Sequence, residues 1–177
     1  ALEIDIDFAL HGDVGPASRF ALHAKPGDRL AISGPGGPDP MLQLADHYYM
    51  AGDLTSLPAI SAMAEVMPAE AQGHIALLVP HQEVVQDLSL PVGVSLRWFV
   101  GTPDQTGPLV EYFTAQPMAA AGSYFWFGGE EGLVVPLRRH VRRTLDTDRQ
   151  RVYAVPYWRS GKDEDAYHQD RHVVMDS

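Results

Sequence analysis

The chain has 177 residues, 45% of them hydrophobic and 20% charged, and a formal net charge of −10. At about 150 residues per domain, that is one full core plus a smaller piece, and this composition excludes disorder and coiled coil. There is no cysteine, which excludes disulfides, zinc-thiolate sites, iron–sulfur clusters and a cysteine nucleophile.

In chain order, residues 2–10 alternate. Leu2, Ile4, Ile6 and Phe8 fall on one face and Glu3, Asp5 and Asp7 on the other, which predicts a half-buried strand from a larger sheet. His11–Gly15 reads as a turn. Pro16 then opens a helix that stops near Lys25–Gly27, and Arg29–Ser33 reads as a short strand. GPGGPDP at 34–40 is the strongest breaker cluster and sets the expected boundary, with one domain at 1–38 and a second at 39–177. Beyond it strands alternate with helices. Strands are expected at 47–51, 74–79, 94–100, 123–127 and 152–158, with helices at 57–67, 108–116 and 130–145. Apolar strands in that alternation predict an α/β fold with a mainly parallel sheet covered on both faces.

Charge is unevenly spread. Residues 39–131 hold eleven acids and one base, Arg97, so this stretch is a poor nucleic-acid surface. Bases gather in Arg138, Arg139, Arg142, Arg143, Arg149 and Arg151, which read either as a solvated helix face or as an anion-facing patch. No apolar run approaches the roughly 20 residues of a membrane span, and no basic-then-apolar leader opens the chain. A cytoplasmic protein with no membrane or nucleic-acid partner is expected.

Two turns have phosphate-binding character. His11–Ser18 joins a strand to a helix whose start exposes unpaired N–H groups; Gly15 permits close approach and Ser18 offers a hydroxyl. Ala51–Pro58 follows the first strand of the alternating region, where open parallel sheets bind ligands, and this makes it the better candidate. It lacks GxGxxG, and Asp53 repels a phosphate unless its carboxylate caps the helix or meets a ribose hydroxyl. Capping by Asp53 or Thr55 is the structural alternative. Tyr124–Phe127 read mainly as sheet packing. His168 and His172, spaced i, i+4, lack a third ligand, so no metal site is expected. No GxSxG occurs, so hydrolase chemistry is not expected.

Four segments in order carry a resemblance. DFALHGDVGPASRFALHAKPGDRLAISGPGG, YYMAGDLTSLPAI, YFWFGGEEGLVVPLRRHVR and VYAVPYWRSGKDED resemble the siderophore-interacting proteins, which are NAD(P)H-dependent ferric-siderophore reductases. The resemblance implies a ferredoxin-reductase-like α/β domain that binds NAD(P)H, preceded by the remnant of an antiparallel FAD-binding β-barrel. It implies flavin-dependent reduction of a ferric siderophore with release of Fe(II). It places Leu10, His11, Gly15, Pro16, Ala17 and Ser18 along FAD. Asp53, Thr55, Leu57 and Pro58 would border nicotinamide and flavin, with Trp126, Gly128 and Glu130 near the pyridine nucleotide. Tyr157 and Trp158, followed by Arg159, would close the flavin side. The anion-facing reading of the arginine run gains an anionic siderophore as its partner.

Three departures accompany the resemblance. The family's upstream Arg-x-Tyr-Thr/Ser motif is missing, so the chain is expected to be a fragment without the first part of the flavin domain, and its open barrel edge invites self-association. Arg97 lies inside its strand and not after it, where a 2′-phosphate would be met. Pro156 stands where the family commonly has Gly. Two other readings remain: a non-catalytic nucleotide-binding or interaction module, and a general flavin or ferredoxin-type reductase with another acceptor.

Overall fold

The structure is a computed structural model that describes residues 4, 6–8, 10, 13, 15–32 and 37–162. The chain divides into two compact units, Ala1–Met41 and Leu42–Ser177.

The first unit has one helix, α1 (Pro16–His23), with Pro at its first position, as its sequence predicts. The strands expected at 2–10 and 29–33 do not form among the described residues. Alternation marks a face that a partner strand and a core must cover. Here Ile4, Leu10 and Ile32 remain 63%, 53% and 60% exposed, so nothing compensates the ordering of an extended backbone.

The second unit is a five-stranded, wholly parallel sheet. Its strands are β1 (His47–Asp53), β2 (Gln72–Val79), β3 (Gly93–Val100), β4 (Ser123–Glu130) and β5 (Val152–Trp158), in the order β3-β2-β1-β4-β5. Helices α2 (Leu57–Glu65), α3 (Gly107–Ala115) and α4 (Glu131–Arg143) connect them. Pro58 and Pro108 sit in the first turns of α2 and α3, where a missing N–H costs nothing. Successive strand residues face opposite sides. Tyr49, Ala51, Ala76, Leu78, Phe125 and Phe127 make one core with Leu109 and Phe113 of α3 and Leu133, Leu137 and Val141 of α4. The alternate residues Tyr48, Met50, Ile75, Leu77, Tyr124 and Trp126 are equally buried on the other face. The sheet is therefore closed on both sides, the condition for a parallel ladder. Among the described residues no helix is long and apolar enough to cross a membrane.

His74 opens the apolar part of β2. It packs 4.6 Å from the Phe113 ring and 5.0 Å from Tyr49, and its Nε2 is buried with no partner. Burial lowers its pKa to about 4, so the folded chain keeps the imidazole neutral. The unfolded chain protonates His74 near 6.5, so the stability that depends on its neutral ring falls as pH drops from about 6.5 to about 4. His74 accounts for about 3 kcal/mol of that fall. Urea unfolding at pH 7 and pH 4.5 checks this: the His74→Leu variant loses less stability between the two pH values than the parent chain by that order. Equal losses would refute it.

Candidate functional site

The chain leaves β1 for β2 and β3 on one side, then crosses back to β4 and β5 on the other. Strand order thus reverses between β1 and β4, and the crevice outside their carboxyl ends is where such sheets take ligands. Both strands run further than their apolar stretches suggest. Gly52 pairs with Gly128, and β4 continues through Gly129 to Glu130.

Asp53 ends β1 and is 4% exposed. Its Oδ1 accepts from the Thr55 N–H at 2.9 Å and the Thr55 hydroxyl at 2.6 Å. Its Oδ2 accepts from the Glu130 N–H at 2.7 Å and the Trp158 indole N–H at 2.9 Å. One buried carboxylate thereby ties the ends of β1, β4 and β5, with two donors on each oxygen. Its charge is compensated by donors rather than by a cation, as a buried anion requires. Of the two roles weighed from sequence, the structure bears on helix capping, and the carboxylate does not cap α2. The residue before α2 is Ser56, whose hydroxyl donates to the Asp53 carbonyl at 2.8 Å.

The amides of this turn are committed too. Ser56 N–H donates to Asp53 O at 3.0 Å and Leu57 N–H to Leu54 O at 3.4 Å, while Pro58 has none. With Thr55 N–H on the Asp53 carboxylate, the turn from Thr55 to Pro58 has no free donor for a phosphate. Its Thr55, Leu57 and Pro58 serve packing and turn geometry. The other turn differs. Gly15 precedes α1 at φ 83°, no side chain caps the helix, and a Cβ on Gly15 would meet nothing within 4 Å. Pro16, Ala17 and Ser18 form its first turn, with Ser18 buried, while Leu10 is half exposed. His11 lies outside the described residues, as do His168 and His172.

Glu130 precedes α4. It is 6% exposed, its side chain accepts from the Gly132 N–H, and its Oε1 accepts from Ser160 N–H at 3.2 Å. Next to it, Glu131 pairs with Arg159 at 3.4 Å. The chain leaving β5 is thus fastened at two points over the start of α4. The start of α3, at Thr106, has no side-chain cap and lies near the start of α4: a Cβ on Gly132 would come within 3.3 Å of Thr106 Oγ1. Two helix N-termini converge at this edge, a setting that favours an anion.

Trp126 is fully buried, stacked 5.4 Å from Tyr153 and edge-on to Tyr157 at 6.4 Å, so it supports the crevice from below. A Cβ on Gly128 would meet Trp126 at 2.7 Å and Tyr157 at 3.0 Å. Burial first, then the neighbouring Tyr153, holds the Tyr157 phenol well above its ordinary range, so it stays neutral. The same causes push Tyr124 up to about 12. Sequence reasoning passed over three contributors: Gly129, at φ 126°; Ser56; and Ser160. Only the Gly-Gly-Glu string at a strand end signalled the first.

Of the arginine run, Arg138, Arg139, Arg142 and Arg143 occupy the last two turns of α4, and Arg149 and Arg151 lie in the short 3-10 turn before β5. This helix starts at the carboxyl end of β4 and runs back toward the start of β5. At 1.5 Å per residue its 13 residues carry Arg142 and Arg143 roughly 17 Å from the crevice edge. The run faces the other end of the sheet.

The parallel sheet, its order and the crevice at the reversal define a ferredoxin-reductase-like nucleotide-binding fold. Residues 45–161 match the siderophore-interacting protein family and residues 1–39 match the siderophore-interacting FAD-binding domain. The chain belongs to the siderophore-interacting protein family. It is 42% identical over 177 residues to the ferric vibriobactin reductase ViuB of Vibrio cholerae, covering 98% of this chain and 65% of that protein. It is 32% identical over 162 residues to the NADPH-dependent ferric-chelate reductase of Escherichia coli, covering 88% of this chain and 61% of that protein. The crystal structure of the siderophore-interacting protein SipS from Aeromonas hydrophila superposes with a TM-score of 0.91 at 78% identity, over 96% of this chain and 67% of that one. The chain thus spans about two thirds of the length of these relatives.

Proposed function

We propose that this chain is the nicotinamide-binding part, with the end of the flavin part, of an NAD(P)H-dependent ferric-siderophore reductase. The observation that carries the reading is the Asp53 carboxylate, which locks three strand ends into a fixed floor at the point of strand reversal. Bound FAD would supply the conversion of a two-electron hydride donor, the dihydronicotinamide, to one-electron reduction of two Fe(III) ions, which would leave as the weaker-bound Fe(II). That chemistry belongs to the cofactors, and the protein contributes binding, alignment and exclusion of water.

The residues fit those tasks. The start of α1, at Gly15, Pro16, Ala17 and Ser18, turns the positive end of a helix toward a pyrophosphate. The resemblance adds Leu10 and His11 to the residues along FAD. At the crevice, Asp53, Thr55, Leu57 and Pro58 fix the floor beneath the nicotinamide, and Gly128 with Glu130 forms its far wall. Trp126 holds that wall rigid by packing. Tyr157 and Trp158 close the β5 side, and Trp158 is held by its bond to Asp53. The Glu130 carboxylate already occupies one amide of α4, so the uncapped start of α3 is the free donor end for the nucleotide diphosphate.

Anaerobic absorption spectroscopy of the full-length flavin-loaded protein tests the reading. NAD(P)H bleaches the flavin band, and a ferric siderophore restores it at two irons per flavin. A band that NADH and NADPH both leave unchanged sinks the proposal. A band restored by ferricyanide alone reassigns the acceptor.

A further inference from the structure

We infer that two buried carboxylates, Asp53 and Glu130, give the crevice a fixed negative field that favours the positively charged, oxidised nicotinamide ring over the neutral, reduced one and so promotes hydride release; this rests on the nucleotide-binding reading above. Asp53 ends β1 and Glu130 ends β4, the two strands between which the order reverses. Both side chains are buried. The Glu130 N–H donates to Asp53 Oδ2 and joins the two residues in one network. Among the described residues, every other hydrogen bond to these carboxylates also comes from a neutral donor. Asp53 accepts from the Thr55 amide and hydroxyl and from the Trp158 indole, and Glu130 accepts from the Gly132 and Ser160 amides. Neutral donors solvate a carboxylate and leave its unit charge in place. Two negative charges therefore stand at the strand ends, where burial keeps salt from screening them.

Most cations of the second unit lie elsewhere. Arg97 pairs with Ala76 in mid-strand, its guanidinium 5.0 Å from the centre of the Tyr112 ring. The arginines of α4, with Arg149 and Arg151, sit toward the other end of the sheet. Arg159 and Lys162 remain at the crevice end; Lys162 is exposed, and Arg159 is engaged at 3.4 Å by a third carboxylate, Glu131. A dihydronicotinamide ring is neutral. When its C4–H bond breaks and the hydride carries the electron pair to the flavin, the ring is left with one positive charge. A negative field already in place lowers that product, and the transition state leading to it, with no reorganisation at the moment of reaction. A unit charge within about 8 Å, at an effective dielectric constant of about 30, changes the affinity for a monovalent cation about tenfold. The nucleotide diphosphate is the same before and after the transfer, so its own interaction with these carboxylates cancels between the two ring forms.

Calorimetric titration of the oxidised, full-length flavin-loaded protein with NAD⁺, NADP⁺ and their 1,4,5,6-tetrahydro forms tests this without turnover, because the tetrahydro ring is neutral and donates no hydride. Within whichever pair binds, the cationic form binds about tenfold more tightly than the neutral one. Asp53→Asn and Glu130→Gln each remove one charge at nearly constant shape and cut that ratio about tenfold. Arg159→Gln removes a positive charge and raises the ratio. Loosening of the site weakens both ring forms together and cannot move the ratio in opposite directions, so the sign separates a field from a structural role. Circular dichroism checks that each variant is folded, and the ratio in the parent protein needs no variant. Equal affinity for the two ring forms in the parent, or a ratio that neither carboxylate variant moves, overturns the inference alone. Binding of none of the four overturns the nucleotide reading on which it stands.

Discussion

Asp53→Ala is expected to destabilise the chain by about 4 kcal/mol. The substitution strips two buried donors, the Glu130 N–H and the Trp158 indole N–H, of their acceptor, and each such orphan costs about 1–3 kcal/mol. The Thr55 amide and hydroxyl are nearer solvent and regain water, so they add less. For a unit of this size the loss lowers the melting temperature by roughly 10 °C. Asp53→Asn costs about half as much. Its amide keeps one accepting oxygen, and its NH₂ is set against one of the two donor pairs. Chemical denaturation gives both values. An Asp53→Ala loss below 1 kcal/mol would show that the network is dispensable. Trp158 also gives a local readout: its fluorescence changes in the folded variant if the strand ends part.

The second large effect is expected at Gly129. A Cβ there would lie 2.6 Å from both Cγ and Oδ2 of Asp53, and 2.8 Å from Oδ1. The carboxylate cannot swing aside without giving up all four donors. Moreover, φ 126° lies in a region that L side chains rarely adopt. Gly129→Ala therefore costs about 4–5 kcal/mol, part backbone strain and part broken network. In the Asp53→Ala background the clash is gone and only the strain remains, about 2 kcal/mol. The double variant should fall short of additivity by about 2 kcal/mol or more, which a double-mutant cycle reads directly. Additive losses would mean that Gly129 is required for its backbone alone.

The second unit was largely legible in the sequence. β2, β3 and β5 begin within two residues of expectation because IALLV, LRWFV and VYAVPYW are apolar runs too short for helices. α2 and α3 are marked by prolines, which helices accept most readily in their first turn. The strand ends were less legible. Gly52-Asp53 and Gly128-Gly129-Glu130 look like turn residues, yet both strands run on through them: Gly52 faces Gly128 in the last pair between β1 and β4, Asp53 pairs with Leu78 of β2, and Gly129 and Glu130 pair with β5. The saturation of Asp53 was not legible, since its partners at 130 and 158 come from other strand ends. Among the described residues of the first unit, alternation alone did not make strands, because a strand depends on a neighbour that pattern cannot supply.

The span of the Asp53 contacts also has a consequence in time. Thr55 is two residues away, Glu130 is 77 and Trp158 is 105. Contacts of such different reach do not form together, since a long loop must close before its bond compensates for the closure. The β1–α2–β2 stretch and its Asp53–Thr55 turn can assemble locally. The bonds that join β4 and β5 to it must wait for the second half of the chain to dock. The crevice is therefore completed only once the second half of the chain has docked. Interactions formed that late act chiefly on the rate of unfolding. A ligand that spans the ends of β1 and β4 would prolong the lifetime of the folded chain while leaving its speed of folding nearly untouched.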